Sequence, residues 1–366
     1  MRRAQRRGQG LAAVIRAATL AMVASVVAAP AFALDDVTVG LSVQPSVSDG
    51  GAWALADELG IWKKEGLSVK TVVFSGSGTL IPQVAAGQIL IGLPDPASIV
   101  VATAAGQARL PLTFFYNEIP LNTLEFAVLA SSPIKTVADL KGKKIGVGAL
   151  TWGNIPTTRA VFKSAGLDGQ YSLVPVGSLG SGFQALKSGG VDALNFNSGW
   201  NDQLELSGTP LRRVNLPGVF GRISLNAFVT RNDELARNPD LFARFGRAFT
   251  EAQFVCDANP AACIDAFWRA HPEARPAGPD IQQARKTAIE VLRRHNVAIL
   301  YWPDGRRRTP GEFDLGNIHE YVRQMAAQGE LASANVPVDT LFSNALVPQF
   351  DRFDHAALRA EAQAKQ

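Results

Sequence analysis

The sequence predicts an α/β protein of two lobes, each a mostly parallel sheet flanked by helices, with a helical C-terminal part packed on the first lobe. Three observations carry this. Strand-like and helix-like runs alternate through short polar connections from Val37 to Thr230. The segment Ala86-Gly87-Gln88-Ile89-Leu90-Ile91-Gly92 is echoed by Ser188-Gly189-Gly190-Val191-Asp192-Ala193-Leu194, each reading as helix end, glycine, short strand and polar turn. From Asn238 onward the pattern is helical. At 366 residues the chain can build two packed bodies. The expected division is a leader at 1–33, a first lobe at 34–130, a second at 131–222, and a return to the first at 223–366.

Taken in order, Val37–Val43 alternates as a strand and Gln44–Gly51 is a Gly-rich loop. Trp53–Lys64 reads as one helix, with Trp53, Ala56, Leu59 and Ile61 at helical spacing. Leu67–Phe74 and Ile89–Leu93 are strands, followed by helices ending at Ala86 and Ala105. Leu112–Tyr116 and Phe126–Leu129 are further strands. The second series has a single turn at Val137–Leu140 and strands at Lys144–Val147, Ser172–Val176 and Val191–Phe196, each strand leading through a polar turn into a helix. Ala227–Thr230 resembles a strand returning to the first lobe. Pro239 starts a helix with Leu241, Phe242, Phe245, Phe249 and Phe254 on one face, a face expected to pack as core against the first lobe. Helices also run over Gln282–Arg294 and Asp314–Ala327.

Residues 1–33 read as a cleaved export signal. Arg2, Arg3, Arg6, Arg7 and Arg16 precede or enter the apolar run Ala17–Ala29, and Ala31-Phe32-Ala33 fits a signal-peptidase site. Thirteen apolar residues are too few to cross about 30 Å of hydrocarbon. The full chain has 36 basic and 32 acidic residues; without the five leader arginines, 31 bases face 32 acids. The basic character therefore belongs to the leader, and a nucleic-acid partner is not expected. Two cysteines exclude a four-thiolate metal site. Cys256 and Cys263 flank an Asn-Pro helix break; in an oxidising compartment they can close a small loop, the other reading being two buried thiols.

Catalytic patterns are missing. His271, His295, His319 and His355 share no metal-ligand spacing, and no nucleophile elbow, zinc-binding helix or phosphate loop occurs. Gly146-Val147-Gly148 opens like a dinucleotide fingerprint, but Thr151 replaces the third glycine. What recurs is a polar turn between strand and helix, at Gln44–Gly51, Ser75–Thr79, Pro94–Ser98, Thr151–Thr157, Gly177–Gly182 and Asn197–Asn201. In an open α/β sheet such turns face one crevice, and helix starts offer unpaired N–H groups. The ligand-binding residues expected from this are Gln44, Ser48, Asp49, Trp53, Ser75, Ser77, Thr79, Asp95, Ser98, Trp152, Asn154, Thr157, Ser181, Asn197, Ser198 and Trp200. Tyr116 and Asn117, at the end of their strand, join them. No arginine stands in the turns, which weakens a strict sulfonate or nitrate assignment; Asp49 and Asp95 beside aromatics suit an amino-bearing heterocycle, while the helix starts, with their unpaired N–H groups, suit a carboxylate.

Two longer motifs carry a resemblance. Leu59-Gly60-Ile61-Trp62-Lys63-Lys64-Glu65-Gly66-Leu67-Ser68-Val69 and Ser132-Pro133-Ile134-Lys135-Thr136-Val137-Ala138-Asp139-Leu140-Lys141-Gly142-Lys143-Lys144-Ile145-Gly146-Val147 resemble signatures of periplasmic solute-binding proteins of the nitrate/sulfonate/taurine and thiamine-pyrimidine class. The resemblance implies a type II periplasmic-binding fold, a small organic solute (sulfonate, aromatic acid or pyrimidine-like), an ABC transporter permease with its cytoplasmic ATPase, a periplasmic monomer, and no cofactor. It implies binding by closure about hinges near Leu129–Ser131 and Leu225–Ala227, without catalysis. The alternatives are a thiamine-pyrimidine synthase-like enzyme, whose cysteine-rich motif is not matched here, and a protein presenting its solute to a membrane sensor.

Overall fold

The first two strand runs, joined through helices, pair in parallel, and the rest of the first sheet grows on that pair. The computed structural model describes residues 33–105 and 110–364, so the expected leader lies, apart from Ala33, outside the described residues. The first series is β1 (Asp35–Leu41), α1 (Gly50–Glu58), α2 (Ile61–Lys64), β2 (Leu67–Val73), α3 (Ser77–Ala85), β3 (Ile91–Leu93), α4 (Pro96–Ala104) and β4 (Leu112–Ile119). The second is β5 (Leu124–Leu129), β6 (Lys144–Val147), α5 (Ile155–Ser164), β7 (Ser172–Pro175), α6 (Gly180–Lys187), β8 (Ala193–Asn197), α7 (Ser198–Leu206) and β9 (Leu211–Asn215). Then follow β10 (Asn226–Arg231), α8 (Asn232–Arg237), α9 (Pro239–Ala258), α10 (Pro260–Ala270), α11 (Ile281–Leu300), α12 (Leu315–Ala327), α13 (Val338–Leu341), α14 (Val347–Phe350) and α15 (His355–Ala364).

Two five-stranded sheets result, ordered β2-β1-β3-β10-β4 and β7-β6-β8-β5-β9. They repeat one plan: three parallel strands, then an antiparallel strand, then an edge strand. Both sheets are therefore mixed, because the chain crosses between them on antiparallel strands. The sequence echo has a structural counterpart. Gly87 and Gly189 both take the left-handed conformation (φ 73° and 74°) just past α3 and α6, ending each helix before its strand.

Three sequence expectations shift, and one strand, β9, is not expected from the sequence. Trp53–Lys64 is two helices, because Gly60 adopts φ 65° and turns the chain between α1 and α2. Ser77 and Thr79 lie inside α3, not before it. β9, rich in arginine, carries no apolar alternation to signal it. Most consequential, β5 pairs with β8 and β9, so the first crossing between sheets falls at 120–123, not near Leu129–Ser131. The second crossing, between β9 and β10, contains the expected hinge start at Leu225.

The aromatic face of α9 does pack on the first sheet: Phe242, Phe245 and Phe249 are buried with Trp53, Trp62, Phe115 and Phe228 in one cluster. Leu241 only borders it. The helical C-terminal part reaches further than this sheet, since α11 touches α7 and α12 touches α5. Among the described residues no helix is long and apolar enough to cross a membrane. Cys256 and Cys263 are joined in a disulfide, Cα to Cα 5.1 Å, tying the end of α9 to the start of α10 across Asn259-Pro260. A loop this short limits the unfolded chain by about 2.5 kcal/mol. Replacing both cysteines with serine is expected to lower unfolding stability by roughly that amount, read by denaturant titration; an unchanged midpoint would show that the disulfide adds nothing.

Candidate functional site

The carboxyl ends of β1, β3, β6 and β8 meet at a cleft between the two sheets. It holds a cavity of about 60 Å³ lined by Ser42, Val43, Gly76, Ser77, Asp95 and Asn226 from one side and Leu124, Trp152, Gly153, Asn154, Asn197 and Trp200 from the other, with Leu225 of the second crossing. A smaller cavity of about 30 Å³ continues it, sharing Ser42, Val43 and Asn226 and adding Asp49, Trp53 and Glu118.

Five of the six polar turns contribute to this lining; the turn containing Ser181 does not. Two of the lining side chains also cap helices. Asp95 Oδ1 accepts the Ala97 N–H at 2.8 Å, and Asn197 Oδ1 accepts that of Trp200 at 2.9 Å. The start of α3 is likewise engaged, with the Gly78 N–H donating to the Thr151 carbonyl at 3.2 Å. The expected row of free helix N–H groups is therefore largely consumed within the protein, which removes the main reason to expect an anion.

The sides touch directly. The Thr151 hydroxyl donates to the Ser75 carbonyl at 2.5 Å, and the Trp200 indole N–H to the Ser46 hydroxyl at 3.2 Å. Trp152 and Trp200 meet edge to face, ring centres 5.7 Å apart. These contacts need glycine. A Cβ on Gly153 would come within 2.8 Å of the Ser77 hydroxyl, and one on Gly199 within 2.7 Å of Ser48 Cβ.

Burial sets the electrostatics. Asp95, 6% exposed, has its carboxyl pushed up to about 7 by loss of water, offset in part by the Ala97 N–H. Asp49 is pushed up to about 6 for the same reason, although Ser46 and Ser48 bond to it. Burial holds the Glu118 carboxyl well above its usual range, with Asp49 adding repulsion.

Of the expected site residues, Asp49, Trp53, Ser77, Asp95, Trp152, Asn154, Asn197 and Trp200 line the cleft. Ser48 supports Asp49, and Ser98 lies against Gly153 just behind the lining. The others are elsewhere. Tyr116 is core, among Phe228, Phe249 and Phe350, with its hydroxyl on Thr250 and Gln253. Asn117 donates to the Glu312 carbonyl, and Thr157 bonds Tyr321 of α12. Thr79 and Ser181 bond their own turns, Ser75 offers only its carbonyl, Ser198 is outside the lining, and Gln44 is exposed. Sequence reasoning misses Ser42, Asn226 and Glu118; the signal for Glu118 is the one charged side chain in a strand buried along its whole length.

Two sheets on one plan with a cleft between them define a binding-protein fold. The alkanesulfonate-binding protein SsuA from Xanthomonas axonopodis pv. citri, bound to MOPS, shares it with a TM-score of 0.62 at 18% identity, over 84% of this chain and 98% of that one. The periplasmic nitrate-binding protein NrtA from Synechocystis PCC 6803 does so with a TM-score of 0.57 at 14% identity, over 91% and 89%. The NMT1/THI5-like model matches residues 51–263, more than half the chain, and the chain belongs to that family. In sequence, a chain of Brucella abortus (strain 2308) described as a binding protein is 29% identical over 227 residues, 58% of this chain and 65% of that one. The taurine-binding periplasmic protein of Escherichia coli (strain K12) is 25% identical over 211 residues, 58% of this chain and 63% of that one. The chain thus spans just under two thirds of these curated relatives.

Proposed function

We propose that the protein captures a small organic solute in this cleft outside the cytoplasmic membrane and delivers it to the permease of an ABC importer, without transforming it. One observation carries the reading: a single cavity takes its lining from both sheets, so a bound solute would be held by both at once. Ligand contacts made to both sides favour a closed state over an open one. The moving bodies would be the first sheet with its C-terminal helices and the second sheet, hinged at the two crossings, 120–123 and 216–225. The family and the named relatives support the binding role. A synthase reading has less support, since Cys256 and Cys263 are bonded to each other and no lysine lines either cavity.

The test is calorimetric titration of the exported form with small solutes, alongside small-angle scattering. A saturable solute that shrinks the radius of gyration is expected, and turnover of that solute would sink the proposal. Trp152→Ala removes an indole from the lining and is expected to weaken binding about tenfold, roughly 1.4 kcal/mol, without unfolding the protein. Equal titrations of variant and parent would take Trp152 out of the site.

A further inference from the structure

Two of the three acidic side chains of the two cavities, Asp95 and Glu118, and their most deeply buried amide, that of Asn154, present acceptors that the protein itself leaves unmet, while Asp49 is bonded by Ser46 and Ser48. Among the described residues Glu118, 7% exposed on β4, has no hydrogen-bond or ion-pair partner, and it lines the smaller cavity with Asp49. Asp95 gives one oxygen to the Ala97 N–H and leaves the other free. Asn154, 3% exposed, commits its amide N–H to Asn195 and keeps a buried, unpartnered Oδ1. The donors in the lining are neutral, amides and hydroxyls such as those of Asn226 and Ser42. No lysine or arginine is among the lining residues, whereas three indoles, Trp53, Trp152 and Trp200, are.

The Asn154 oxygen, hidden from water without a donor, is costly to leave so and fits a place where a ligand supplies the donor, and the largely buried Glu118 and Asp95 carboxyls line the same two cavities. A sulfonate, nitrate or carboxylate would bring further acceptors to this lining and could meet the buried carboxyls only in their protonated form, whereas a cation draws those protons off. A cation with several N–H groups satisfies both needs, and indole faces attract it further.

We propose that the cleft is built for a small organic cation carrying N–H donors, of the amine, guanidine or amidine class, with Asp95, Glu118 and the Asn154 carbonyl as its acceptors. The inference rests on the solute-capture reading and specifies its ligand. It also fixes the proton balance. Burial keeps Asp95 partly protonated near neutral pH, with its carboxyl at about 7, and a bound cation would draw that proton off. Binding should release protons, and affinity should rise as the pH climbs through that value.

The test is a thermal-shift screen of the exported form against two pools. One holds small amines, guanidines and amidines such as benzylamine, guanidine and benzamidine. The other holds matched anions such as benzoate, benzenesulfonate, taurine and nitrate. Stabilisation by the cationic pool, with proton release in calorimetry across buffers of different ionisation heat, is expected. Glu118→Gln should weaken the binding cation at least tenfold, with the unliganded protein at least as heat-stable as the parent. Stabilisation by anions alone overturns the cation assignment and leaves solute capture standing; stabilisation by neither pool overturns both. A cation that binds equally well to Glu118→Gln and to Asp95→Asn also overturns it.

Discussion

Gly153→Val is expected to weaken solute binding about a hundredfold or more while leaving both sheets folded. Gly153 stands between Trp152 and Asn154, and even a Cβ there would press on Asp95, on the Ser77 hydroxyl at 2.8 Å and on the Ser98 hydroxyl at 3.0 Å, all across the cleft. Gly76 is a second such point, where a Cβ would come 2.6 Å from the Thr151 carbonyl oxygen. The clash exists only when the sides meet, so the variant should fold and remain open. Apparent affinity falls by the fraction of molecules that can still close. Calorimetry gives the affinity, and scattering should show that saturating solute no longer shrinks the molecule. Parent-like closure in Gly153→Val would mean that the cleft does not work by bringing these loops together.

The second large effect is in stability against pH. A buried carboxyl raised to about 7 binds its proton more readily folded than unfolded, so Asp95 adds stability below about pH 4 that is lost as pH climbs through 7. The loss is on the order of 4 kcal/mol between those limits, reduced by any water that reaches the cavity. His295 works in the opposite sense. Buried and lowered to about 4, it favours folding above pH 6.5 and gives up that stability as pH falls through 4. The parent curve mixes both groups, so the informative quantity is Asp95→Asn minus parent. Asparagine retains the helix cap and carries no charge. The variant is expected to gain on the parent steadily from about pH 4 to about pH 8, in denaturant unfolding without ligand. A difference independent of pH would place the Asp95 carboxyl in water rather than in the protein interior.

Much of the site is legible in the sequence. Asp95, Asn197 and Trp152 sit in polar turns after strands, and strand ends in such folds must face a crevice whatever the rest of the chain does. Tyr116 shows the limit. Its strand is plain in the apolar run, but β4 is buried on both faces, and only its neighbours on α9 decide that the ring points to the core. Glu118, two residues on, comes out at the strand's end and reaches the cleft instead.

By itself the sequence determined the alternation of strands and helices, the duplicated plan, and the polar turns that end the strands, because these follow from local hydrophobic period and from glycine at helix ends. The tertiary structure alone decided which sheet β5 joins, hence where the crossings lie, and that the helix starts spend their N–H groups on the protein while carboxylates are left facing the cavity. Strand partners and burial depend on residues far apart in the chain, and no local pattern encodes how much water a carboxyl will lose.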